Sequence, residues 1–455
     1  MRAHASASLP GSARRVVTAL CDQVRADRLV RRTIDLVSVP SPPGQEGAVA
    51  EEYARCLVQV GLDVEFDRQY PESPSVVARS REASDGPVLQ LAGHLDTISS
   101  PHQPPYVVDG TVVGRGACDR KGGLAVMAEV AQVITESDLK LGGSLLLTAH
   151  GQHEEAVGGR QLHAPLLGLL ERGVHGSACI IPEGPHEGLP LAGRGLVIFR
   201  ILFRRDGEPV HEILSDSNPP PNPIMACQRF VRYLEQASQS WTGNHQLAGP
   251  ESFFIGSIQG GDYYNRIPAS ASVWGTRRYP PGTVFSAVHE ELTQYAQRAA
   301  CEIGCEAEID IQKSGQPFSV SESEPLVEAV RDSYRLQTGR ELPLIGMKFA
   351  ADSSQFINVA GIPAVYHGTD SATAHSDLES VTAADLVRCA KVILGSVVGY
   401  LGLAELRTAN LKGDRVCQVS PLHSRAVTTV RTRRAARSGT PRKPSSSSST
   451  VLSFC

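Results

Sequence analysis

Several residues that can bind a metal ion or move a proton stand directly after apolar, strand-like runs of this sequence. The stretch "VLQLAGHLDTI", residues 88–98, begins as a strand of buried type and ends with His94 and Asp96. Residues i and i+2 of an extended chain point to the same face, so this imidazole and this carboxylate lie side by side. The pair fits either a hydrogen-bonded pair at a strand end or a metal-binding histidine supported by a carboxylate.

Four carboxylates and a second histidine occupy similar positions later in the chain. Asp119 lies in "GRGACDRKGG" just before a helix start, and Glu154 and Glu155 follow the strand-like "SLLLTA". Glu183 follows "ACIIP", and His375 lies beyond "IPAVYHG". Ligands of open α/β sheets bind at the C-terminal ends of the strands, so we expect these distant segments to converge on one site.

The types of these residues indicate metal-dependent chemistry. Imidazoles and carboxylates without a thiolate suit zinc or a neighbouring divalent ion. A central aspartate with one histidine and one carboxylate on either side supplies the bridge that two closely spaced ions need. The adjacent Glu154 and Glu155 can divide the work, since one can bind metal while the other stays free to move a proton.

The elements that must position these groups alternate between strand-like and helix-like segments. Helix-like periodicity covers roughly 23–37 and 46–60, strand-like runs lie near 62–66, 75–79 and 87–93, and the alternation resumes after about residue 320. Such alternation predicts an α/β fold, in which helices flank a central, parallel-type sheet.

The pattern changes after about residue 190. The runs "GLVIFRILFRR", "SFFIGSIQG" and "ASASVWGTRR" are longer and more alternating, with helix-like segments near 222–237 and 283–302. They predict an inserted α+β domain with an antiparallel sheet. We expect the following division of the chain: an N-terminal extension at 1–22, a discontinuous catalytic domain at 23–191 and 306–405, an inserted domain at 192–305, and a disordered tail at 406–455.

Composition favours a soluble globular protein of a reducing compartment. The chain has 455 residues, of which 41% are hydrophobic and 20% charged. Of its ten cysteines only Cys301 and Cys305 are close in sequence, which is unlike a disulfide framework and favours the cytoplasm. The first residues lack the apolar core of a signal peptide, so we expect no signal peptide. No apolar stretch is long enough for a membrane-spanning helix, so we expect no membrane span.

The tail differs in charge from the rest of the chain. From Arg407 onward it contains ten Lys and Arg residues and one acidic residue, Asp414, and then a serine run. Such a segment buries too little apolar surface to offset the entropy of ordering, so disorder is expected. A passive tail is favoured over one that binds nucleic acid.

The five motifs, in this order, resemble the M20 family of metallopeptidases and deacylases over roughly residues 25–402. The family's Gly-His-x-Asp and Gly-Arg-Gly-x-x-Asp-x-Lys-Gly signatures match "GHLD" and "GRGACDRKGG". Its Glu-Glu-x-x-Gly-Gly resembles "EEAVGG", its next acidic ligand falls on Glu183, and its late histidine falls on "HSDLE". The closest likeness is to acetylornithine deacetylases and succinyl-diaminopimelate desuccinylases. The resemblance implies a Zn-exopeptidase-like fold with an inserted lid or dimerisation domain.

The resemblance also implies a ligand set for two divalent ions, zinc in the first place and cobalt or manganese as alternatives. By that likeness His94 and Glu183 hold one ion, Glu155 and His375 hold the other, and Asp119 bridges them.

Two further carboxylates acquire roles from the same resemblance. Asp96 is then the residue that orients His94, and Glu154 is the general base, which takes a proton from water and later protonates the leaving nitrogen. Asp352 has two open interpretations, as a support of the site or as a helix cap. His153 is either a support of the site or without a role. Cys118 is either a packing residue or a ligand of a novel site.

The inserted domain carries the residues that the resemblance assigns to substrate binding, His211, Asn265 and Arg278, and it implies a homodimer. The chain departs from the family pattern at Arg120, where a methionine is common, and at His211, which is followed by Glu-Ile. Gly368–Asp370 also differs from the usual Gly-Pro-Gly. The exact substrate therefore cannot be transferred.

The predicted function is metal-dependent hydrolysis of an amide bond in an N-acyl amino acid or a related small molecule. Glu rather than Asp at position 183 goes with deacylases and carboxypeptidases of the family. The alternatives are an exopeptidase, either a carboxypeptidase or a dipeptidase, and a catalytically inactive binding protein, which would require a broken ligand set. No membrane or nucleic-acid partner is expected.

Overall fold

The computed structural model describes residues 11–81, 84–215 and 219–404. The predicted disordered tail at 406–455 lies outside these residues and stays a prediction. Within the described ranges no helix combines the length and the apolar character needed to cross a lipid bilayer.

Ten α-helices occur in the described residues. They are α1 (Gly11–Cys21), α2 (Ala26–Val37), α3 (Gly47–Val60), α4 (Gly122–Glu136), α5 (Ala164–Glu171), α6 (Pro223–Ser238), α7 (Phe285–Ile303), α8 (Pro325–Thr338), α9 (Asp352–Gln355) and α10 (Ala383–Leu401). Short helical turns of other types span Ala117–Lys121, Glu212–Ser215 and Phe356–Ala360.

The strands of the described residues form six sheets. In chain order they are β1 (Asp63–Asp67), β2 (Ser75–Arg79), β3 (Val88–His94), β4 (Tyr106–Val108), β5 (Thr111–Val113), β6 (Ser144–His150), β7 (Ala178–Ile181), β8 (Leu189–Gly193), β9 (Gly195–Arg204), β10 (Val210–His211), β11 (Asn244–His245), β12 (Gly249–Pro250), β13 (Ser252–Gly260), β14 (Arg266–Ile267), β15 (Ser270–Tyr279), β16 (Glu306–Gly315), β17 (Phe318–Ser319), β18 (Leu344–Met347), β19 (Ala364–Tyr366) and β20 (Ser380–Thr382).

The central sheet has the order β1-β2-β6-β3-β7-β19. Strands β6, β3, β7 and β19 are parallel to one another, while β1 and β2 form an antiparallel edge. The parallel strands are buried almost throughout, as their nearly continuous apolar sequences require when helices cover both faces. This confirms the predicted α/β class with a parallel-type sheet.

The hydrophobic core of this domain also includes the first described helix. Val17, Leu20 and Cys21 of α1 are at most 2% exposed and belong to the same apolar cluster as the strands of the central sheet. Part of the segment that the sequence predicted as an N-terminal extension therefore packs as a helix on the catalytic domain. Its partner is α10.

The inserted domain is an antiparallel sheet of order β13-β15-β9-β16, with α6 and α7 packed on one face. Strand β16 pairs with β9, so this sheet continues to Gly315, beyond the predicted domain end at 305. The reason is visible in its alternation, since Ala307, Ile309 and Ile311 pack against the apolar cluster of this domain.

A buried carboxylate fixes α4, the helix that starts at the site described below. Glu129 of α4 is fully buried. It accepts hydrogen bonds from the backbone N–H of Arg25 at 2.9 Å and from the side chains of Arg28 and Arg32 at 2.7 and 2.9 Å. A buried carboxylate is tolerated because such partners compensate it, so the cluster ties α2 to α4.

We expect Glu129→Gln to lower the free energy of unfolding by about 3 kcal/mol, because two arginines lose their buried counter-charge. The matched control is Glu136→Gln, since Glu136 also pairs with Arg28, at 3.0 Å, but its side chain is 48% exposed. That change should cost less than about 1 kcal/mol. Urea unfolding of both variants tests this, and equal losses would contradict it.

Candidate metal centre

The four parallel strands of the central sheet end at one edge, and each leads to a group that can bind metal. His94 is the last residue of β3, Glu154 follows β6, Glu183 follows β7, and His375 lies in the segment after β19. Asp119 joins them from the helical turn before α4. The C-terminal edge of a parallel sheet is the expected place for a ligand site.

Asp119 lies between the two histidines. Its Oδ1 is 3.2 Å from Nε2 of His94, and its Oδ2 is 3.2 Å from Nε2 of His375. Burial raises the pKa of Asp119, but hydrogen bonds from His375 and His94 outweigh it and hold the pKa well below the usual range. Each oxygen of one ionised carboxylate therefore faces a different imidazole, which is the arrangement of a bridging ligand.

The ring of His94 is oriented by a backbone carbonyl. Its Nδ1 donates to the carbonyl oxygen of Asp96 at 2.9 Å, which leaves Nε2 facing Asp119. The Asp96 carboxylate accepts from the backbone N–H groups of His153 and Glu154, at 2.9 Å each, and its Oδ1 is 3.5 Å from Nδ1 of His94. Asp96 thus supports His94 mainly through its main chain, and its side chain fixes the loop that carries Glu154.

Negative charge dominates around both imidazoles. Burial and Arg120 lower the pKa of His94, but hydrogen bonds with Asp119 and Asp96 outweigh them and raise it to about 10. Hydrogen bonds with Asp119 and Glu154 raise the pKa of His375 to about 10 as well. A pocket that draws protons onto two imidazoles also attracts cations, which compete for the same nitrogen atoms.

The two adjacent glutamates take different positions. Glu154 Oε2 is 3.3 Å from Nε2 of His375, and His94, Asp119 and Glu154 offer ligand atoms within 4.8 Å of one another. Glu155 instead accepts from the backbone N–H of Ser99 at 3.4 Å. The structure therefore brings Glu154 beside His375, whereas the family resemblance places Glu155 there.

Glu183 forms an ion pair with an arginine of the same chain. Its carboxylate directly contacts the guanidinium of Arg120, which is fully buried. Nη2 of Arg120 also lies 3.6 Å from Oδ2 of Asp352. Arg120 occupies the position where the resemblance leads one to expect methionine, and here its charge compensates the partly exposed Glu183 and the buried Asp352.

Three histidines surround Asp352, a cluster that the sequence alone did not reveal. Nδ1 of His153 lies 2.9 Å from Asp352 Oδ1, Nδ1 of His163 lies 3.2 Å from the same oxygen, and Nε2 of His150 lies 3.4 Å from Oδ2. Asp352 is the first residue of α9, but its carboxylate is used by this cluster. Only the spacing of "HGQHEE" hinted at it, because the aspartate is about 200 positions away.

A second residue that sequence reasoning passed over is Glu379, the last residue of "HSDLE". It is buried and accepts from the backbone N–H of Asp119 at 3.0 Å. Arg115 joins it at 3.1 Å and also donates to the carbonyl of Ser376 at 2.9 Å. Glu379 and Arg115 thereby hold the Asp119 turn against the segment that carries His375.

Cys118 precedes Asp119 but does not point to the centre. Its sulfur lies 3.6 Å from the hydroxyl of Thr373 and 3.7 Å from Glu379. Burial raises the pKa of this thiol far above its ordinary value. A thiol that stays protonated is a poor ligand, which favours the packing role.

The residues predicted to bind substrate lie in the inserted domain. Nδ2 of Asn265 donates to Nε2 of His211 at 2.9 Å, so these two are neighbours. Arg278 of β15 donates to the carbonyl of Lys348 at 3.1 Å, a residue four positions before Asp352. Arg278 therefore lies where the inserted domain meets the catalytic domain.

The donor set fits a pair of divalent ions. It combines two imidazoles with carboxylates around a central Asp119, and a thiolate is absent from the groups that meet there. Such ligands suit zinc and its neighbours in the first transition row.

Comparisons with known proteins identify a family whose model matches more than half of this chain. A model of peptidase family M20/M25/M40 matches residues 90–398. The N-formyl-4-amino-5-aminomethyl-2-methylpyrimidine deformylase of Bacillus subtilis (strain 168) is 23% identical over 405 residues, 81% of this chain and 93% of that protein. The succinyl-diaminopimelate desuccinylase of Methylorubrum populi is 27% identical over 374 residues, 78% of this chain and 93% of that protein.

Among solved structures, aminopeptidase PepT from Bacillus cereus ATCC 10987 superposes with a TM-score of 0.70 at 16% identity, covering 83% of this chain and 99% of that one. At this identity the likeness shows the fold. The family match covers more than half of the chain and confirms the family and the hydrolase class predicted from the motifs. With its motifs at the ends of four parallel strands, this chain belongs to peptidase family M20/M25/M40.

Proposed function

We propose that this chain hydrolyses the amide bond of an N-acyl amino acid or a related small molecule with two divalent ions, most simply zinc. The observation that carries the proposal is Asp119, whose two oxygens each lie 3.2 Å from a different imidazole. One carboxylate placed in this way joins two ion sites. A pair of ions held there would lower the pKa of a water molecule and polarise the amide carbonyl.

The ligands follow the family resemblance. His94 and Glu183 belong to one site, Glu155 and His375 to the other, and Asp119 to both. Asp96 supports the first site through its bond to His94 and fixes the loop after β6.

Glu154 is the residue that moves protons. Its backbone N–H is anchored by Asp96 at 2.9 Å, and its side chain is 8% exposed and faces the centre. Such a carboxylate can take a proton from the attacking water and return it to the leaving nitrogen, which would otherwise depart as an anion. The position of Glu154 beside His375 also supports the reverse assignment, in which Glu154 is the ligand and Glu155 the base.

The substrate class rests on two arguments. The two relatives named above are a deformylase and a desuccinylase, so both are named for removing an acyl group from nitrogen. An arginine and an asparagine are suited to a carboxylate of the substrate, and Arg278 and Asn265 of the inserted domain are proposed for this task together with His211. An exopeptidase of the same family is the second candidate, because a dipeptide offers the same amide and the same carboxylate.

The inserted domain is also the proposed dimer interface. Strand β13 is an edge of its sheet in the described part of the chain, and Phe254 and Ile258 on it are 67% and 53% exposed. A long edge strand with exposed apolar side chains is typical of strand pairing between chains. A cytoplasmic location, a discontinuous catalytic domain interrupted by the inserted domain, and a passive tail remain parts of the same proposal.

The proposed function predicts that the purified chain holds up to two zinc equivalents and cleaves N-acetyl, N-succinyl or N-formyl amino acids. Metal analysis should be combined with ninhydrin assays on these compounds and on dipeptides. Asp119→Asn should lose both ions and all measurable turnover, because the shared ligand is weakened. Higher kcat/KM for dipeptides would establish the exopeptidase. Two bound ions without any turnover would indicate a binding protein.

The assignment of the glutamates predicts a clear split between two variants. Glu154→Gln should keep both ions and lose kcat by about 10²–10⁴, the usual contribution of a general base. Glu155→Gln should lose one ion as well as activity. Metal content and kcat of both variants decide this. If Glu154→Gln loses an ion while Glu155→Gln keeps both, the two roles are exchanged.

The dimer proposal predicts a mass of two chains in light scattering. Phe254→Lys should shift the protein towards a monomer, because it places a charge on the exposed edge strand. The control is Val58→Lys on the exposed face of α3, which should leave the mass unchanged. Phe66→Lys, on the edge strand β1 of the central sheet, is not suitable as a control because Phe66 is half-buried. A wild-type monomer would refute the proposal.

A further inference from the structure

His153 lies beside His94 but is not part of the proposed ligand set. The two imidazole rings are stacked, with centroids 4.1 Å apart and planes inclined by 2°. His153 immediately precedes Glu154, on the loop that Asp96 fixes through the backbone N–H groups of both residues. A second imidazole therefore lies at one side of the centre, on a loop whose backbone Asp96 anchors.

Among the described residues, Asp352 engages Nδ1 of the His153 ring, which leaves Nε2 as the second possible ligand atom. Nδ1 lies 2.9 Å from Oδ1 of Asp352, and this carboxylate is fully buried. When Nδ1 donates its proton to Asp352, Nε2 keeps its lone pair. A carboxylate behind an imidazole is the usual support of a histidine that binds a metal ion, because it fixes the tautomer and raises the basicity of the ring.

The position of His153 suits a ligand of the same ion as His94. His94, His153 and Glu183 each offer one ligand atom within 4.8 Å of the other two. An ion that is bound by all three lies at roughly 2.0–2.2 Å from each of its ligands, which requires such a spacing. Since an ion lies near the plane of an imidazole that binds it, the two parallel rings would tilt apart on binding.

Arg120 gives a physical reason for an extra nitrogen ligand. Its guanidinium contacts Glu183, and it is fully buried, so part of the negative charge of that carboxylate is already compensated. A carboxylate that shares its charge with a guanidinium donates less to a metal ion. A neutral imidazole adds a donor without adding a further charge that needs compensation.

We propose that His153 is an additional ligand of the ion held by His94, with Asp352 as the residue that orients it. This inference rests on the proposed metal centre and deepens it. The first site of this chain then contains His94, Asp119, Glu183 and His153.

A separate ion between His150, His153 and Asp352 is the competing arrangement, since these three also offer ligand atoms within 4.8 Å of one another. The two arrangements differ in stoichiometry, because the separate site would hold a third ion in addition to the two ions of the proposed centre.

The test compares the full-length wild type with His153→Asn, Asp352→Asn and the matched control His163→Asn. His163 also contacts Asp352, at 3.2 Å, but is not in the trio with His94 and Glu183. We expect His153→Asn to bind zinc at one of two sites at least about 10–100-fold more weakly, and Asp352→Asn to weaken the same site. His163→Asn should bind both ions as the wild type does. Chelator competition gives these affinities.

Two further measurements keep the result independent of activity and of folding. The cobalt-loaded wild type should change its visible absorption when His153 is replaced, because a nitrogen ligand is lost, and melting of the metal-free variants checks that they fold. X-ray absorption of the zinc-loaded wild type counts the imidazoles directly and needs no variant. Three imidazoles shared by two ions are expected.

Two imidazoles, together with unchanged zinc affinity in His153→Asn, would overturn the inference and leave His153 as a stacking residue only. Loss of a third zinc equivalent in His153→Asn would favour the separate site and would also overturn it. A wild type that binds no ion would instead refute the proposed metal centre itself. The three failures are therefore distinguishable.

Discussion

The carboxylate of Asp119 is the group on which the arrangement of this molecule depends. It brings together His94 from an early strand and His375 from near the end of the described chain, at 3.2 Å each. Carboxylates packed this closely repel one another unless protons or cations lie between them, and burial removes the water that would otherwise solvate them. The surrounding structure therefore has to hold these side chains in place, and Glu379 does so by accepting from the backbone of Asp119 itself.

The packing of α4 against the sheet serves the same end. A Cβ atom on Gly123 would lie 2.3 Å from the carbonyl oxygen of Pro182, the residue before Glu183, so only glycine lets the helix start so close to β7. Farther along α4, the buried Glu129 fixes the helix to α2 through two arginines. The Asp119 turn and the end of β7 are thus held at a constant separation.

Sequence patterns were enough to locate the elements of the catalytic domain and the residues at the ends of its strands. A parallel strand that is buried on both faces is a continuous apolar run, and the polar residues of the site follow directly after such runs. The limit of the inserted sheet was missed, since pairing of β16 with β9 joins segments a hundred positions apart. The contacts of Arg120 with Glu183 and Asp352 were equally hidden. Whether Glu154 or Glu155 faces His375 depends on the backbone conformation of the loop after β6, and two adjacent residues of the same type give no sequence signal for it.

The chain enters and leaves the inserted domain at neighbouring points. Gly193 of β8 pairs with Phe318 of β17, and just beyond it Leu196 of β9 pairs with Gly315 of β16. Segments that lie side by side in this way can be joined by a short turn, because their ends are already close. The catalytic fold is thereby topologically complete without the inserted domain, so that domain could be exchanged or enlarged during evolution while the central sheet and the strand ends around Asp119 stay as they are.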